Sequence, residues 1–342
     1  MSVTHNTINN TNINRLDLLL TPEALKIKIP LTEKAANTVI NGRNTIQDIL
    51  DGKDNRTLII AGPCSIHDLE SAKEYAQRLK TLHDKLSDKL FIVMRAYFEK
   101  PRTNVGWKGL INDPTLDGSN DMNLGLSKAR ELLAWIAELG LPTATEALDP
   151  VTPQYVADLI SWSAIGARTT ESQTHREMAS GLSMPVGFKN STDGSLTAAV
   201  NAIISAQSPH TFIGIDNGGN TALLHTNGNP YSHIILRGGK TPNYDEQSVA
   251  QCISDLEAAN INPRIIIDAS HGNSSKDFSK QPGVARNVME QIRAGNQTIK
   301  GIMLESHLIE GNQKLSDNLT YGKSITDSCI GWEETEKLLS SL

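Results

Sequence analysis

The sequence has few cysteines and no long apolar run, and each absence excludes a class of protein. Among its 342 residues are three cysteines, Cys64, Cys252 and Cys329, which are too few and too scattered for a disulfide framework. Their odd number fits a reducing compartment, so we expect a cytoplasmic protein. No stretch approaches the ~18 uninterrupted apolar residues of a membrane span. Residues 1–15 are polar and rich in asparagine, so neither membrane insertion nor secretion is indicated.

The sequence also lacks an excess of positive charge and the common nucleotide motifs. Its formal net charge of −6 gives no basic surface for nucleic acid, so an anionic ligand has to meet a local cluster of Lys and Arg. Arg237-Gly-Gly-Lys-Thr resembles the end of a phosphate loop, but Ile234 stands where its first glycine belongs. No Gly-x-Gly-x-x-Gly follows a strand and no Gly-x-Ser-x-Gly occurs, which disfavours nucleotide cofactors and serine hydrolysis.

Short apolar segments alternate with amphipathic stretches, as buried parallel strands alternate with covering helices. Eight such segments occur: 57–61, 90–94, 141–145, 163–167, 184–188, 232–236, 264–268 and 300–304. They predict a (β/α)8 TIM barrel in residues 56–342, with a doubly wound open sheet as the alternative. Residues 1–55 form a predicted N-terminal arm, and the Asn217–Asn220 turn predicts an inserted β-hairpin at about 211–225.

Polar or charged residues follow every predicted strand, where the loops of barrel enzymes carry the chemistry. These loops contain Arg95, Lys100, Arg102, Thr103, Glu146, Arg168, Lys189 and Arg237. Arg168 and Arg237 directly follow apolar runs, where a guanidinium is partly desolvated and needs an anionic partner. Although any one of them could be a solvated loop residue, together they predict a site for a ligand with phosphate and carboxylate groups.

A second set of side chains follows the first, seventh and eighth strands, which become neighbours when a barrel closes. The set is Cys64, His271, Glu305 and Asp327. A thiolate, an imidazole and two carboxylates suit one divalent metal ion, Mn2+, Fe2+, Co2+ or Zn2+, in a site with a position left open for substrate. Taken singly, Cys64 could be a small buried residue and His271 a hydrogen-bonded loop histidine.

Three further residues near these ligands have possible roles at the metal site. Cys329 follows Asp327 by two residues and is an alternative ligand, although buried packing is the commoner role of a thiol. His67 and His307 stand close to the proposed ligands and are candidates to orient them.

Eight longer segments resemble the microbial class I synthases of 3-deoxy-D-arabino-heptulosonate 7-phosphate. They are GPCSIHD (62–68), MRAYFEKPRTNVGWKGLINDP (94–114), GARTTESQTHRE (166–177), PVGFKN (185–190), ILRGGKTPNY (235–244), DASHGNSSK (268–276), LESHLIEGNQ (304–313) and YGKSITDSCIGWE (321–333). The resemblance runs from about Leu18 to the C-terminus. It implies a metal-dependent transferase that condenses phosphoenolpyruvate with erythrose 4-phosphate and water, the first step of the shikimate pathway.

The resemblance also implies a role for each matching residue. The metal ligands would be Cys64, His271, Glu305 and Asp327. Phosphoenolpyruvate would be bound by Arg95, Lys100, Arg168, Lys189 and Arg237, assisted by Glu146 and the backbone near Gly166 and Ala167. Arg102 and Thr103 would bind the phosphate of erythrose 4-phosphate.

Catalysis is assigned to Lys100 together with Cys64 and His271. We expect Lys100 to transfer a proton near the metal. We also expect neighbouring Lys and Arg side chains to lower its pKa towards a useful range.

Regulation is implied by the resemblance alone. In the family the arm and the hairpin build a site for an aromatic amino acid, for which the candidates here are Asn10 to Ile13, Gln154, Ser183, Phe212 and Gly214. The segments ATEALDP (144–150), ASGLSMPVGFKN (179–190) and FIGI (212–215) are most similar to the tyrosine-inhibited isozyme. Gly214 in place of serine leaves room for a phenolic hydroxyl. The resemblance further implies a homodimer or homotetramer in which the arm reaches a neighbour.

Two other functions fit parts of the pattern. Lys189 at a strand end among cations could be the Schiff-base nucleophile of an aldolase. A barrel that binds a phosphosugar without turnover is the second alternative, and the intact set of four metal ligands disfavours it.

Overall fold

A computed structural model describes residues 8–342 of the chain. Its strands are β1 Thr57–Gly62, β2 Leu90–Arg95, β3 Thr143–Glu146, β4 Trp162–Ile165, β5 Val186–Lys189, β6 Thr211–Ile215, β7 Thr221–His225, β8 Ser232–Leu236, β9 Ile265–Asp268, β10 Ile299–Glu305, β11 Ile309–Asn312 and β12 Lys323–Ser324. Its helices are α1 Pro22–Lys28, α2 Glu33–Asp51, α3 Leu69–Lys85, α4 Met122–Leu139, α5 Pro153–Val156, α6 Gln173–Gly181, α7 Thr197–Gln207, α8 Glu246–Ala258, α9 Gln281–Arg293 and α10 Trp332–Ser341. In residues 8–342 none of the helices has the length and apolar character needed to cross a bilayer.

Eight parallel strands close into a barrel in the order β1-β10-β9-β8-β5-β4-β3-β2. Because β1 pairs with both β2 and β10, the sheet has no edge, which excludes the open-sheet alternative. Each barrel strand overlaps one of the eight apolar segments of the sequence. The prediction of a (β/α)8 barrel is therefore confirmed.

Local signals in the sequence set where the long helices begin and end. Asp68 precedes α3, and its carboxylate accepts hydrogen bonds from the backbone N–H groups of Glu70 and Ser71. Asp121 caps α4 in the same way, and Gly140 ends that helix in the left-handed conformation with φ 86°.

Helix α2, within the predicted arm, covers the N-terminal end of the barrel. Its side chains Ile46, Ile49 and Leu50 are buried in one cluster with inward-facing residues of the strands. Gly42 allows the close approach, since a Cβ there would lie 2.6 Å from the Ser161 hydroxyl oxygen. Helix α2 therefore forms a floor for the barrel.

Strands β6 and β7 form an antiparallel hairpin outside the barrel. The turn between them is closed by a hydrogen bond from the Asp216 N–H to the Asn220 carbonyl, and Gly219 has φ 79°. The Glu23 N–H in the first turn of α1 donates to the Asn217 carbonyl at 2.8 Å. The hairpin is thus tied to the N-terminal segment of its own chain.

His233 in β8 lies inside the barrel against Trp162 of β4. Gly187 of β5 leaves room for the indole, because a Cβ there would lie 2.8 Å from it. The Trp162 Nε1–H donates to His233 Nε2 at 3.2 Å, and the Nδ1–H of the same imidazole donates to the Tyr231 carbonyl at 2.8 Å. Burial lowers the pKa of His233 to about 4.

Acidification should therefore destabilise the fold through His233. The unfolded chain binds a proton at this group below an ordinary pKa of about 6.5, whereas the folded protein resists it down to about 4. The contribution is complete above pH 6.5, and about 2 kcal/mol of unfolding free energy should be lost between pH 7.5 and 5. Urea unfolding of the wild type and of His233→Gln at both pH values measures this. An equal loss in the variant would contradict the assignment, since the remaining histidines are common to both proteins.

Candidate active site and metal centre

The loops after the barrel strands surround a cavity of about 550 Å3 at the C-terminal end of the barrel. Most of the residues singled out from the sequence line it: Lys100, Arg102, Glu146, Gly166, Ala167, Arg168, Lys189, Arg237, His271, Glu305 and Asp327. The three remaining candidates for the metal and substrate sites contact residues of this lining. Cys64 contacts Lys100, Arg95 contacts Glu305, and Thr103 accepts a hydrogen bond from Arg168. One cavity thus brings together both predicted sets.

The four proposed metal ligands converge at one side of the cavity. The Cys64 sulfur and carboxylate oxygens of Glu305 and Asp327 lie within 4.8 Å of one another. His271 Nε2 lies 3.9 Å from Glu305 Oε1 and 4.0 Å from Asp327 Oδ2. Cys64 and Glu305 are buried, while 66% of the Asp327 side chain is exposed. The donors can close on a cation from its inner side and leave the cavity side open for a substrate oxygen.

His271 is held with Nε2 towards this centre. Its backbone has φ 54°, and Nδ1 lies 2.7 Å from the Ser270 hydroxyl and 3.0 Å from Asp268 Oδ2. Asp268 is fully buried and also accepts from Lys189 Nζ at 2.8 Å. Although burial opposes its charge, Lys189 and His271 lower the pKa of Asp268 well below its usual value. A buried carboxylate thus fixes the imidazole orientation.

The residues expected to orient the ligands are not the ones that do so. His67 and His307 face each other with ring centroids 6.3 Å apart, and the described contacts of His307 include Tyr75 but none of the proposed ligands. His307 Nδ1 accepts a hydrogen bond from the Leu308 N–H, so the lone pair of this nitrogen is already occupied. Asp268 and Ser270 orient His271 instead. Their positions next to His271 in the DASH segment are the feature of the sequence that could have indicated this role.

Cys329 is buried behind the centre. It is fully buried, its N–H donates to the Gly311 carbonyl, and its thiol lies 3.6 Å from the Asp327 carbonyl oxygen. This geometry favours packing over metal binding.

Glu305 is fixed by two buried side chains. Arg95 NH2 donates to its Oε1 at 3.2 Å. The side-chain amide of Gln281, at the start of α9, donates to the Glu305 carbonyl at 3.1 Å and accepts from the Glu305 N–H at 2.9 Å. Gln281 is fully buried. No local motif marked this glutamine, because the clamp exists only once α9 packs against β10.

Replacing Gln281 with methionine should weaken metal binding by about 10- to 100-fold, the usual effect of losing a group that orients a ligand. The substitution keeps the volume but leaves the Glu305 backbone without its partners. Titration with Mn2+ followed by electron paramagnetic resonance measures the affinity. Gln291→Met, a buried glutamine on the same helix that donates to the Tyr244 carbonyl, is the control. Equal losses in both variants would mean that the effect is general destabilisation.

The opposite side of the cavity is cationic. In the part of the chain that the structure describes, neither Arg168 nor Arg237 has a carboxylate within 4 Å. The Arg237 N–H donates to the Asn190 amide oxygen, which anchors this loop, and burial lowers the pKa of its guanidinium. Arg168 is exposed, so the expectation of partial desolvation holds for Arg237 alone. Guanidinium groups without carboxylate partners favour binding of a phosphate or carboxylate.

The expectation for the pKa of Lys100 is wrong. Its Nζ lies 3.1 Å from the Cys64 sulfur and 3.2 Å from the Cys64 carbonyl, next to acidic rather than basic groups. Burial alone would lower the pKa, but Cys64, Glu305 and Glu146 outweigh it and raise the pKa of Lys100. Proton transfer by Lys100 therefore gains no support from a lowered pKa.

The candidates for an effector site are only partly gathered. Phe212 and Gly214 lie on the same half-buried face of β6, while Asn10, Ile13 and Ser183 are exposed and Gln154 is half-buried in α5. Ser180 and Thr226 share a hydrogen bond of 2.6 Å, which brings the segment before Ser183 close to the hairpin.

Comparisons with known proteins agree with this geometry. The sequence profile of the DAHP synthetase I family matches residues 28–340. The chain is 56% identical over 338 residues to the Tyr-sensitive phospho-2-dehydro-3-deoxyheptonate aldolase of Salmonella typhimurium, covering 98% of this chain and 95% of the relative. It is 56% identical over 332 residues to the Phe-sensitive enzyme of Escherichia coli, covering 96% and 95%. The solved structure of the Francisella tularensis aldolase superposes with a TM-score of 0.94 at 50% identity, covering 96% and 97%.

Proposed function

Because the chain belongs to the DAHP synthetase I family, we propose that it condenses phosphoenolpyruvate with erythrose 4-phosphate and water, giving 3-deoxy-D-arabino-heptulosonate 7-phosphate and phosphate. This is the first step of the shikimate pathway. The observation that carries the proposal is one cavity whose lining includes Arg168 and Arg237, which have no carboxylate within 4 Å in residues 8–342. Beside them lie three converging metal donors, with His271 Nε2 3.9 Å from one of these, Glu305. A doubly anionic substrate and a polarised aldehyde require this combination.

Phosphoenolpyruvate occupies the cationic side. Arg168, Lys189 and Arg237 bind its phosphate and carboxylate, and Arg95 and Lys100 approach from below, next to Glu305 and Cys64. Arg102 and Thr103 take the phosphate of erythrose 4-phosphate. Arg168 donates a hydrogen bond of 3.2 Å to Thr103. This contact supports the assignment, because it places the two substrate regions next to each other.

The donor set fits one divalent ion of the Mn2+, Fe2+, Co2+ or Zn2+ type. A thiol, an imidazole and two carboxylates are present. Asp268 holds the imidazole, Arg95 holds the Glu305 carboxylate, and Gln281 holds the Glu305 backbone. When bound, such an ion supplies a Lewis acid for the aldehyde oxygen of erythrose 4-phosphate.

The reaction then follows from how the chain holds the two substrates. The cationic side holds phosphoenolpyruvate with C3 towards the aldehyde carbon, so that a carbon–carbon bond can form between them. The C2–C3 π bond supplies the electrons, the aldehyde C=O opens, and its oxygen takes up a proton to become a hydroxyl. Water adds at C2, and phosphate leaves with cleavage of its C–O bond. Arg168 and Arg237 remain on the phosphate throughout and stabilise it as it departs. Glu146 borders the same space and can accept a proton from the water.

The proposal is tested by measuring phosphate release from purified protein. Release that requires both substrates, stops with EDTA and returns with Mn2+ is the expected result. Borohydride trapping with pyruvate tests the aldolase alternative, which is disfavoured because Lys189 is held in an ion pair with Asp268. Absence of release with Mn2+ present would reject the synthase.

We further propose tyrosine as the feedback inhibitor, a homodimer or homotetramer as the assembly, and the cytoplasm as the location. Tyr-sensitive and Phe-sensitive relatives are equally identical to this chain, so the choice depends on Gly214 and the segments around it. Analytical ultracentrifugation with and without tyrosine measures the assembly.

Gly214→Ser should weaken inhibition by tyrosine by about 5-fold or more and favour phenylalanine, since one lost hydroxyl site is worth about 1 kcal/mol. A Cβ at 214 would lie 2.5 Å from Leu224 Cδ1, so the end of that flexible side chain has to rotate. Inhibition curves for both amino acids measure the change. Ile213→Ser, on the opposite and exposed face of β6, is the control. An unchanged preference for tyrosine would count against the role of Gly214.

A further inference from the structure

Tyr97 has no assigned role, although it lies directly under the proposed active site. It follows β2 by two residues and is 1% exposed. The Arg95 guanidinium carbon lies 3.9 Å from the centre of its ring, and Lys100 Nζ lies 6.0 Å from it. Two of the cations proposed to bind phosphoenolpyruvate therefore contact one aromatic ring.

The orientation of Arg95 matters because few of its donors are free. Nε donates to the Pro63 carbonyl, NH1 to the Met303 sulfur, and NH2 to Glu305 and the Cys64 carbonyl. A guanidinium has five N–H groups. Within residues 8–342, one N–H, on NH1, is left for a ligand, and its direction is set by the plane of the guanidinium.

The ring rather than the hydroxyl makes these contacts. Among the residues that the structure describes, the buried Tyr97 hydroxyl has no hydrogen-bond partner. Burial raises the pKa of this phenol, so it stays neutral and carries no charge for Arg95 to pair with. A buried hydroxyl without a partner costs stability. The aromatic face is thus the part of Tyr97 that contacts the site.

Tyr97 and Glu146 are neighbours in the barrel. Arg95 of β2 pairs with Ala144 of β3, so side chains two residues further along, at 97 and 146, point inward on the same level.

We propose that the Tyr97 ring is a positioning platform that fixes the planes and directions of Arg95 and Lys100, and so sets the affinity for phosphoenolpyruvate. The inference rests on the proposed function. Tyr97 acts through the two cations and does not itself touch the substrate.

The test compares Tyr97→Leu, which removes the ring, with Tyr97→Phe, which keeps it. At saturating Mn2+, Tyr97→Leu should raise KM for phosphoenolpyruvate about 30-fold, equivalent to about 2 kcal/mol. KM for erythrose 4-phosphate should change by less than about 3-fold, because the ring touches neither Arg102 nor Thr103. Tyr97→Phe should restore most of the affinity for phosphoenolpyruvate.

Tyr231→Leu provides the matched control. Its ring carries Arg264 at 5.4 Å at the other end of the barrel, so it removes the same kind of pair away from the site. Thermal unfolding of all variants separates loss of fold from loss of affinity. The proposed role of the Tyr97 ring would be rejected if Tyr97→Phe raised KM for phosphoenolpyruvate as much as Tyr97→Leu does. It would also be rejected if Tyr97→Leu raised KM for both substrates equally.

Direct titration of phosphoenolpyruvate into the protein, without erythrose 4-phosphate, separates the two proposals. An inactive wild type that still binds phosphoenolpyruvate, with Tyr97→Leu binding it more weakly, would reject the synthase and keep the platform. An active wild type with unchanged binding in Tyr97→Leu would reject only the platform.

Discussion

Cys64→Ser should lower kcat by at least about 100-fold and abolish tight metal binding, since losing a direct ligand has to exceed the 10- to 100-fold effect of losing a group behind one. Cys64 is the only sulfur among the converging donors within residues 8–342, and its loss leaves a weak hydroxyl donor. Because the side chain is fully buried, no solvent-exposed group can replace it. Metal content after dialysis and phosphate release measure the two effects.

Cys329→Ser separates this role from packing. Both cysteines are fully buried and close to Asp327, but only Cys64 points its sulfur at that carboxylate, at 3.7 Å. Cys329→Ser should lower the melting temperature while the folded protein still binds one metal ion per chain. Loss of metal in Cys329→Ser and retention in Cys64→Ser would reverse the ligand assignment.

Arg237→Gln should raise KM for phosphoenolpyruvate by about 100-fold, because a charge-assisted contact in a partly desolvated site is worth about 3 kcal/mol. Its guanidinium lines the cavity and has no carboxylate partner in the described chain, so the contact is reserved for a ligand. The fold should survive, since the loop is anchored through the Arg237 backbone N–H on Asn190. Steady-state kinetics with each substrate varied in turn measure the effect.

Arg286→Gln is the matched control for this prediction. Arg286 lies on the outer surface, where it contacts Glu334 at 3.4 Å, and exposed pairs of this kind contribute little. Its kinetics should equal those of the wild type. An Arg237→Gln variant with unchanged KM for phosphoenolpyruvate would remove this arginine from the substrate site.

The fold and the cavity lining were accessible from the sequence because both depend on local patterns. The eight short segments of the sequence each overlap a barrel strand, and the end of a strand brings the next side chains to the cavity. Arg168, Lys189 and Arg237 could therefore be placed without any knowledge of contacts.

The remaining features depend on contacts between residues distant in the chain. The prediction of a lowered pKa for Lys100 was wrong because its neighbours include Cys64 and Glu305. The pattern of strands does not reveal these contacts. Gln281 reaches Glu305 only through the packing of α9. The position of α2 under the barrel likewise depends on packing between distant residues. The apolar face of the helix predicts that it is covered, but not which part of the protein covers it.

Asp268 has a consequence for how the two halves of the site communicate. One buried carboxylate neutralises Lys189 on the anion side and holds His271 on the metal side. A ligand that pairs with Lys189 or His271 weakens the attraction of that side chain to Asp268. The attraction between Asp268 and the other side chain then changes as well. Binding of the cation and binding of phosphoenolpyruvate should therefore be thermodynamically linked, each changing the affinity for the other by the same factor.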